Sequence, residues 1–248
     1  MFRFEFADAR VWRYMVASIE KILDESVFVA SSEGLSLRAL DTSNVVMVDL
    51  FYPADAFREF EVEGDEFEFG VSFPLLVKVL RRARKEDSLV LEVDESRITV
   101  KFVGRGTRRF TIPQISLSYE KLPEPRIDFQ VEAKMLSTTF RDAIRDLEPI
   151  ADVVVLQTLD EDRLLLRGSG DVVSAETELS LERGSMIEYN VEDQARASYT
   201  LEYFSYMLQA AQAADMATIR FSEDAPVKVD LEYQAGGRLT FYVSPRVD

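Results

Sequence analysis

The sequence contains no cysteine and no histidine among its 248 residues. Without cysteine, the chain can form no disulfide bond and has no thiolate nucleophile. Without histidine, Ser–His and Cys–His catalytic pairs are excluded, and no side chain has an ordinary pKa near neutrality. A zinc site would have to use carboxylates alone, which is uncommon. Enzymes that use carboxylates, lysine or bound Mg²⁺ remain open, but no pair of carboxylates stands in the apolar context that suggests a general acid and base.

Long apolar runs are also missing. No segment approaches the roughly 20 consecutive apolar residues of a membrane helix. The first six residues, MFRFEF, alternate apolar and polar positions, which is typical of a strand and not of a signal peptide. We therefore expect a cytoplasmic protein without a membrane partner.

Motifs for small ligands are equally scarce. There is no Walker loop, and the glycine pairs at 104–106 and 168–170 lack the third glycine and the helix of a dinucleotide fingerprint. The acidic triplet at 160–162 lacks the further ligands of a metal site, which indicates a solvated turn. The sequence thus predicts no cofactor, no metal and no catalytic residue.

Acidic residues outnumber basic ones by 45 to 29, which gives a net charge of −16. This charge argues against affinity of the whole surface for nucleic acid, but it allows a local basic face. Hydrophobic residues make up 47% of the chain and charged residues 30%, which is the balance of a folded globular protein.

Short β-rich runs separated by turn residues dominate the chain. They lie at 27–30, 35–40, 45–52, 67–71, 89–93, 98–103 and 108–112. Four segments show helical spacing of apolar residues instead. These lie at 9–23, 73–83, 135–147 and 201–213. The order is a strand, a helix, several strands, a helix and three strands, after which it begins again, and this indicates an α+β fold.

The order repeats at an offset of 128 residues (215 − 87), since Asp87 and Asp215 each follow a helical segment and precede a strand. At the same offset, apolar positions pair as Leu76 with Phe204, Leu80 with Leu208, Ala83 with Ala211, and Leu91 with Ile219. Such a period indicates two similar domains; the alternative is α+β alternation that falls in step by chance. Three prolines within 113–126 favour an extended linker. We divide the chain into a first domain at 1–116, a connector at 117–126 and a second domain at 127–248.

Basic residues form stripes in three of the four helical segments. They are Arg10, Arg13 and Lys21 in the first, Lys78, Arg81, Arg82 and Lys85 in the second, and Lys134, Arg141 and Arg145 in the third. Such stripes can neutralise phosphates without reading bases, although a single stripe is ordinarily a solvated helix face. The fourth segment breaks the pattern, because Glu202 is its only charged residue.

Four segments resemble motifs of the proliferating cell nuclear antigen family, in its archaeal type. Residues 31–45, SSEGLSLRALDTSNV, are similar to the family's S-x-G turn and the L-D-x-S motif after it. Residues 241–247, FYVSPRV, are similar to its C-terminal motif, with Ser244 in place of the usual alanine. The tripeptides LPE at 122–124 and DAP at 224–226 fit the end of its interdomain connector and a late turn.

The resemblance implies a DNA sliding clamp that performs no catalysis of its own. Two similar domains of antiparallel sheet, with two helices each, would form a ring-shaped trimer by pairing edge strands of neighbouring chains. The helices would line a hole for duplex DNA, and the ten basic residues named above would face it, except where helix geometry turns one away, as at Arg81 or Arg82. The subunit interface would contain Arg108, Phe110, Ile112, Ala175, Thr177 and Leu179.

The resemblance also implies a cleft beneath the connector for a short partner peptide with a helical turn and aromatic side chains. The matching positions are Leu40, Asn44, Val45, Met47, Leu122, Pro123, Pro226, Tyr242 and Pro245. For Val45 and Met47, an ordinary core position is an equally good interpretation. Through this cleft the clamp would hold DNA polymerase, the clamp loader, ligase and flap endonuclease, in the cytoplasm at the nucleoid.

Two other functions compete with the clamp. An acidic adaptor would bind proteins without encircling DNA, and it would show neither a ring nor a dependence on the basic stripes. A Mg²⁺-dependent phosphodiesterase would lose activity to a chelator and to substitution of an aspartate. The sequence leaves open whether a ring would be a homotrimer or a heterotrimer with paralogous subunits, although the uncharged fourth helix hints at subunits that differ.

Overall fold

The computed structural model of the chain describes residues 1–118 and 120–246. Within the first half, the elements are β1 Phe2–Phe6, α1 Ala9–Ile19, β2 Glu25–Ser31, β3 Gly34–Leu40, β4 Val46–Pro53, β5 Glu59–Val62, β6 Glu66–Ser72, α2 Phe73–Leu80, β7 Ser88–Val93, β8 Arg97–Val103 and β9 Thr107–Pro113. Within the second half, they are β10 Val131–Leu136, α3 Ser137–Leu147, β11 Val153–Thr158, β12 Arg163–Ser169, β13 Ser174–Ser180, β14 Glu188–Val191, β15 Arg196–Thr200, α4 Leu201–Ala211, β16 Met216–Phe221, β17 Val227–Glu232 and β18 Arg238–Val243.

The predicted repeat is confirmed in the order of the elements, which is the same in both halves. The helices α1 and α3 begin 128 residues apart (137 − 9), as do α2 and α4 (201 − 73). The four apolar pairs that the sequence aligned at this offset are all buried. The repeat therefore reflects two copies of one packing arrangement.

The helices are shorter than the sequence predicts, and β5 was not predicted. Three of the four helices end two to four residues early, because the chain turns there with short i→i+3 hydrogen bonds. The third helix begins at Ser137 instead of residue 135, because the residues before it continue β10. That strand pairs with β16 as far as Leu136, so residues 135 and 136 belong to the sheet although their apolar spacing fits a helix.

The described residues form three antiparallel sheets. Their strand orders are β5-β1-β7-β8-β9, β14-β10-β16-β17-β18-β4-β3-β2-β6 and β13-β12-β11-β15. The nine-stranded sheet contains strands from both halves, since β18 pairs with β4 from Arg238 opposite Phe51 to Val243 opposite Val46. The two domains are thus joined by a continuous sheet.

The helices pack side by side, α2 on α1, α1 on α4 and α4 on α3. Each half's apolar strand face lies beneath them. In β1, for example, Phe2, Phe4 and Phe6 are buried while the alternating residues are partly exposed, and the ring of Phe4 lies 5.2 Å from that of Trp12 on α1. At the junction of α1 with α4, the buried hydroxyl of Ser18 accepts the amide of Ala210 at 2.8 Å.

No helix in the described ranges has the length and apolar character needed to cross a membrane. Within the same ranges, no group of three or more acidic side chains is arranged to hold a metal ion.

Candidate functional site

The outward side of α1 carries Arg10 and Arg13, three residues apart and on the face opposite the buried Trp12 and Met15. The Arg10 guanidinium donates to Asp8, with Nη2 at 2.7 Å from Oδ2, and this bond holds the pKa of Asp8 below its ordinary value. Asp8 also caps the helix by accepting the amide of Arg10 at 2.9 Å. The charge of Arg10 is therefore partly balanced by Asp8, whereas the Arg13 guanidinium lies over the ring of Tyr14 and forms no ion pair with the described residues.

Three further predicted cations lie on the same helical layer. Arg141 and Arg145 are one turn apart on α3, and Lys78 is exposed on α2. Within the described chain, none of the three is in an ion pair. Because the helices are packed side by side, these residues and those of α1 lie on one layer of helices, whose outward side we call the helical face. The same layer carries the exposed Asp142, Asp146 and Glu202.

Four predicted members of the stripes lie outside the helices. Lys21 follows the end of α1, and Arg81, Arg82 and Lys85 follow the last residue of α2. Their assignment to helical stripes is wrong, because the chain turns sooner than the apolar spacing predicts. Cations just beyond a helix C-terminus interact favourably with the helix dipole, so these positions also have a local structural role.

Lys134 lies in β10, and its assignment to the DNA-facing helices is wrong. Side chains alternate along a strand, so Ala133 and Met135 point into the core beneath the helices while Lys134 points to the opposite face of the sheet. On that face its Nζ lies 3.1 Å from Oε2 of Glu232. The residue belongs to the outer sheet surface.

Three predicted pocket residues form a row on the sheet face opposite the helices. Leu40 of β3 lies opposite Met47 of β4, which lies opposite Tyr242 of β18. Leu40 is 37% exposed, whereas Tyr242 is nearly buried. Burial, together with the negative charges of Asp230 and Asp49, raises the pKa of Tyr242 to about 12, so its phenol is neutral. The row therefore presents an apolar surface that contains one hydroxyl group, that of Tyr242.

Two chain segments border this row. The loop between β3 and β4 contains Asn44, with a φ of 57°, and Val45, whose carbonyl accepts the amide of Ser244 at 2.9 Å. Pro226 precedes β17, and Pro245 follows β18. Val45 packs against the hydrophobic core, which favours the core interpretation for it, while Met47 points away from the core. The last residue of the C-terminal motif, Val247, lies outside the described residues.

The connector is brought to this surface by two residues that the sequence analysis missed. The Nη1 of Arg38 donates to the main-chain carbonyl of Leu122 at 3.2 Å, and Pro123 follows directly. The Nη2 of Arg38 donates to Asp49 at 2.7 Å. A signal for this was present in the sequence, because Arg38 precedes Leu40 by two residues and must share its face of the strand. We call the surface formed by Leu40, Met47, Tyr242, Pro226, Pro245 and the connector the partner surface.

The predicted interface strands lie at the edges of their sheets. Within the described chain, β9 pairs only with β8, and β13 pairs only with β12. Phe110, Ala175 and Thr177 are partly exposed on these strands. The side chains of Ile112 and Leu179 are buried in the chain's own core, so these two positions have only main-chain groups to offer a neighbour.

Arg108, the remaining interface candidate, is engaged within its own domain. Its Nη1 donates to the carbonyl of Arg82 at 2.8 Å, and its Nη2 forms an ion pair with Asp87. The guanidinium also lies 5.2 Å above the ring of Phe102. Within the chain, Arg108 therefore holds β9 against the turn after α2.

The internal repeat relates these free edges to a joint inside the chain. By element order, β9 corresponds to β18, and β13 corresponds to β4. Within the chain, β18 and β4 pair with one another and join the two domains. The strands that correspond to this joint, β9 and β13, each lie at an edge of their sheet, as do β5, β6, β14 and β15 among the described residues.

Comparison with known proteins agrees with this architecture. Residues 1–123 match the model of the proliferating cell nuclear antigen N-terminal domain, and residues 123–246 match that of its C-terminal domain. The chain belongs to the proliferating cell nuclear antigen family. The two domain matches of the family meet at residue 123, inside the segment that the sequence analysis assigns to the connector.

Relatives in this family cover the whole chain. A protein of Aeropyrum pernix named DNA polymerase sliding clamp 3 is 63% identical over 99% of this chain and 98% of its own length. The DNA polymerase sliding clamp of Thermofilum pendens is 38% identical over the full length of both. Among solved structures, a PCNA2–PCNA3 complex of Sulfolobus tokodaii contains a chain with a TM-score of 0.92 and 32% identity, covering 99% of this chain and 100% of that one.

Proposed function

We propose that the protein is a DNA sliding clamp, which encircles duplex DNA and holds a polymerase and other enzymes of replication and repair on it. The observation that carries this proposal is the correspondence of the free edges β9 and β13 to the internal joint of β18 with β4. A contact between two different patches generates either a closed ring or an open filament. A chain that contains one such joint and exposes the matching edges can repeat it between subunits until a ring closes.

The helical face supports contact with DNA. An acidic protein places Arg13, Lys78, Arg141 and Arg145 on one layer of helices, where they can neutralise phosphates. Contacts of this kind carry no sequence information and permit movement along the duplex. Retention would then come from the closed ring, and weak salt-sensitive contacts would orient the DNA within it.

The partner surface supports the second half of the function. An apolar row bordered by loops and roofed by an extended connector suits a short peptide with a helical turn and aromatic anchors. The polymerase, clamp loader, ligase and flap endonuclease would each present such a peptide. In this function the protein holds other enzymes on DNA and performs no catalysis of its own. It would act in the cytoplasm at the nucleoid.

The identity of the neighbouring subunits follows from the same edges. A homotrimer requires β9 and β13 of one sequence to fit each other, whereas a heterotrimer requires each to fit a paralogue. The relatives named above include a sliding clamp numbered 3 and a complex of two different clamp proteins, which supports paralogous neighbours as a real alternative to self-assembly.

Topological retention on DNA tests the proposal. The protein is assembled on a nicked circular plasmid by dilution and reconcentration, and half of the sample is then linearised with a restriction enzyme before gel filtration in high salt. We expect the protein to stay with the circle and to leave the linear DNA by sliding off its ends. Equal retention on both forms would indicate ordinary binding, and an assembled ring that fails to associate with the circle would favour an adaptor that does not encircle DNA.

A further inference from the structure

Among the described residues of the connector, one internal hydrogen bond joins it to the body of the protein. Among the described residues between 116 and 127, the hydrogen bond from Arg38 to the carbonyl of Leu122 is the one main-chain hydrogen bond present. The flanks are fixed by the amide of Ile115 on the carbonyl of Gly70 at 3.2 Å and by the amide of Gln130 on the hydroxyl of Ser222 at 2.9 Å. The bond from Arg38 therefore sets where the middle of the connector lies.

Arg38 is held in place by a buried partner. It lies directly opposite Asp49 across β3 and β4, and the Asp49 side chain is only 9% exposed. Burial lowers the pKa of Arg38, but its hydrogen bond to Asp49 and the negative charges of Asp49 and Glu124 together outweigh that effect, so the pKa lies above its ordinary value. The planar guanidinium donates one bond to the carboxylate and another to the connector, a fork that a lysine ammonium cannot reproduce in the same fixed geometry.

The pair continues into a polar row beneath the partner surface. Asp49 lies opposite Thr240, whose hydroxyl donates to Asp230 at 2.5 Å. Asp230 in turn has Lys228 at 3.7 Å, and the Lys228 ammonium lies 5.5 Å from the ring centre of Tyr242. The Arg38–Asp49 pair thus lies beside the polar residues that surround Tyr242.

We propose that Arg38, oriented by Asp49, is the tether that fixes the connector over the partner surface and so sets the affinity for partner peptides. Arg38 is a positioning residue, since it acts on the site by holding the connector through the Leu122 carbonyl. The link to affinity rests on the proposed function, in which this surface binds a peptide. If the connector is released, only a fraction of the molecules have it over the partner surface at any time. The apparent dissociation constant then equals the intrinsic one divided by that fraction, so binding is weaker.

The absence of native cysteine makes a direct measurement of the connector possible. Lys121, exposed and next to Leu122, is changed to cysteine and labelled with a nitroxide, and its mobility is read by electron paramagnetic resonance. Affinity is measured on unlabelled protein by fluorescence anisotropy, with a synthetic peptide that carries one helical turn and two aromatic residues. Thermal unfolding of each variant reports whether it is folded.

The informative variants are Arg38→Gln, which leaves Asp49 buried without its partner, and Arg38→Gln combined with Asp49→Asn, which removes both charges. The double variant keeps the test valid if the single one unfolds. The matched control is Arg3→Gln. Arg3 is as exposed as Arg38, 25% for each side chain, and it is also paired with glutamates, but it lies on the sheet of the first domain, in β1.

We expect both Arg38 variants to give a more mobile label and to weaken peptide binding by about threefold to tenfold, the cost of ordering a freed segment on binding. The control should change neither. An unchanged label spectrum in the folded double variant would overturn the tether, and a mobile connector with unchanged affinity would overturn its role in binding. If the wild-type protein binds no peptide, the proposed role of the partner surface is rejected. The label spectra of the wild type and the variants still show whether Arg38 holds the connector in place.

Discussion

Asp41 shows how a single residue shapes the border of the partner surface. Its Oδ1 accepts the amides of Val45 at 2.7 Å and Val46 at 2.8 Å, and its other oxygen accepts from Ser43. Burial raises the pKa of Asp41, but the bonds from the Ser43 hydroxyl and these amides outweigh it, so the pKa lies below its ordinary value. The ionised carboxylate thus closes the loop that contains Asn44.

This carboxylate makes the stability of the protein depend on pH in a defined direction. A group whose pKa is lowered by folding stabilises the protein above its unfolded pKa, about 3.9 for aspartate, and that contribution is lost as the pH falls through the folded value. We expect Asp41→Asn to lower the free energy of unfolding by about 1 kcal/mol at pH 7. Urea unfolding at pH 7 and pH 3 measures it, and a wild-type–variant difference that does not shrink at pH 3 would contradict this account.

Tyr242 is a second single residue on which the partner surface depends, because it is the most buried member of its row with Leu40 and Met47. We expect Tyr242→Ala to weaken peptide binding by about tenfold or more, since truncated aromatic anchors dominate binding losses. Retention on circular DNA should be unchanged. Tyr203→Ala, at a partly buried position on α4, is a control for loss of a tyrosine away from this surface. Equal peptide affinity for Tyr242→Ala and wild type would remove Tyr242 from the site.

At the scale of elements, the helical face is a product of packing rather than of one helix. The helices α1, α2 and α3 each contribute one or two outward cations, whereas α4 contributes none among its residues. The continuous layer from α2 through α1 and α4 to α3 places these few charges side by side. A stripe on an isolated helix carries little information, but four packed helices make a basic surface on an acidic molecule.

Reversal of charge on α3 tests this surface. We expect the double variant Arg141→Glu and Arg145→Glu to assemble on circular DNA less readily, so that less protein is retained on it, and to show a salt dependence of DNA affinity reduced by about one unit of slope for each phosphate contact removed. Peptide affinity should stay the same. The control with the same change in net charge is Arg58→Glu with Arg238→Glu, at positions away from the helices, and an equal loss of DNA retention in this control would show that total charge, not the helical face, governs binding.

At the scale of the whole molecule, the two domains form one body, and the strands that match its internal joint, β9 and β13, lie at sheet edges. The nine-stranded sheet and the contact of α1 with α4 join the halves at both layers of the fold. The free strands β9 and β13 then present unpaired main-chain groups, which natural proteins rarely leave exposed over a full strand. Assembly through these edges removes that exposure.

We therefore expect light scattering over a concentration series to give a mass near three times 28.3 kDa, the mass of one chain. A stable monomer at micromolar concentration would contradict self-assembly through β9 and β13. In that case, addition of paralogous clamp chains from the same source should raise the mass to that of a trimer if the ring is mixed.

Much of this protein could be predicted from its sequence, because the deciding information is local. Short β-rich runs predicted eight of the nine strands of the first half, helical spacing predicted all four helices, and the 128-residue offset predicted the repeat. The predicted pocket residues also came out close together where they share neighbouring strands, as Leu40, Met47 and Tyr242 do. The ends of the helices were less certain, and Lys134 was misplaced because apolar spacing alone does not separate the end of a strand from the start of a helix.

The sequence by itself determined the two-domain α+β architecture, the family and the existence of a basic surface and an apolar one. The tertiary structure decided which strands join the domains, which edges stay free, and on which face Lys134 lies. It also brought Arg38 to Asp49 and to a connector carbonyl 84 residues further along the chain. The physical reason is that pairing between distant strands and burial of charges depend on the packing of the whole chain, which no local pattern of residues specifies.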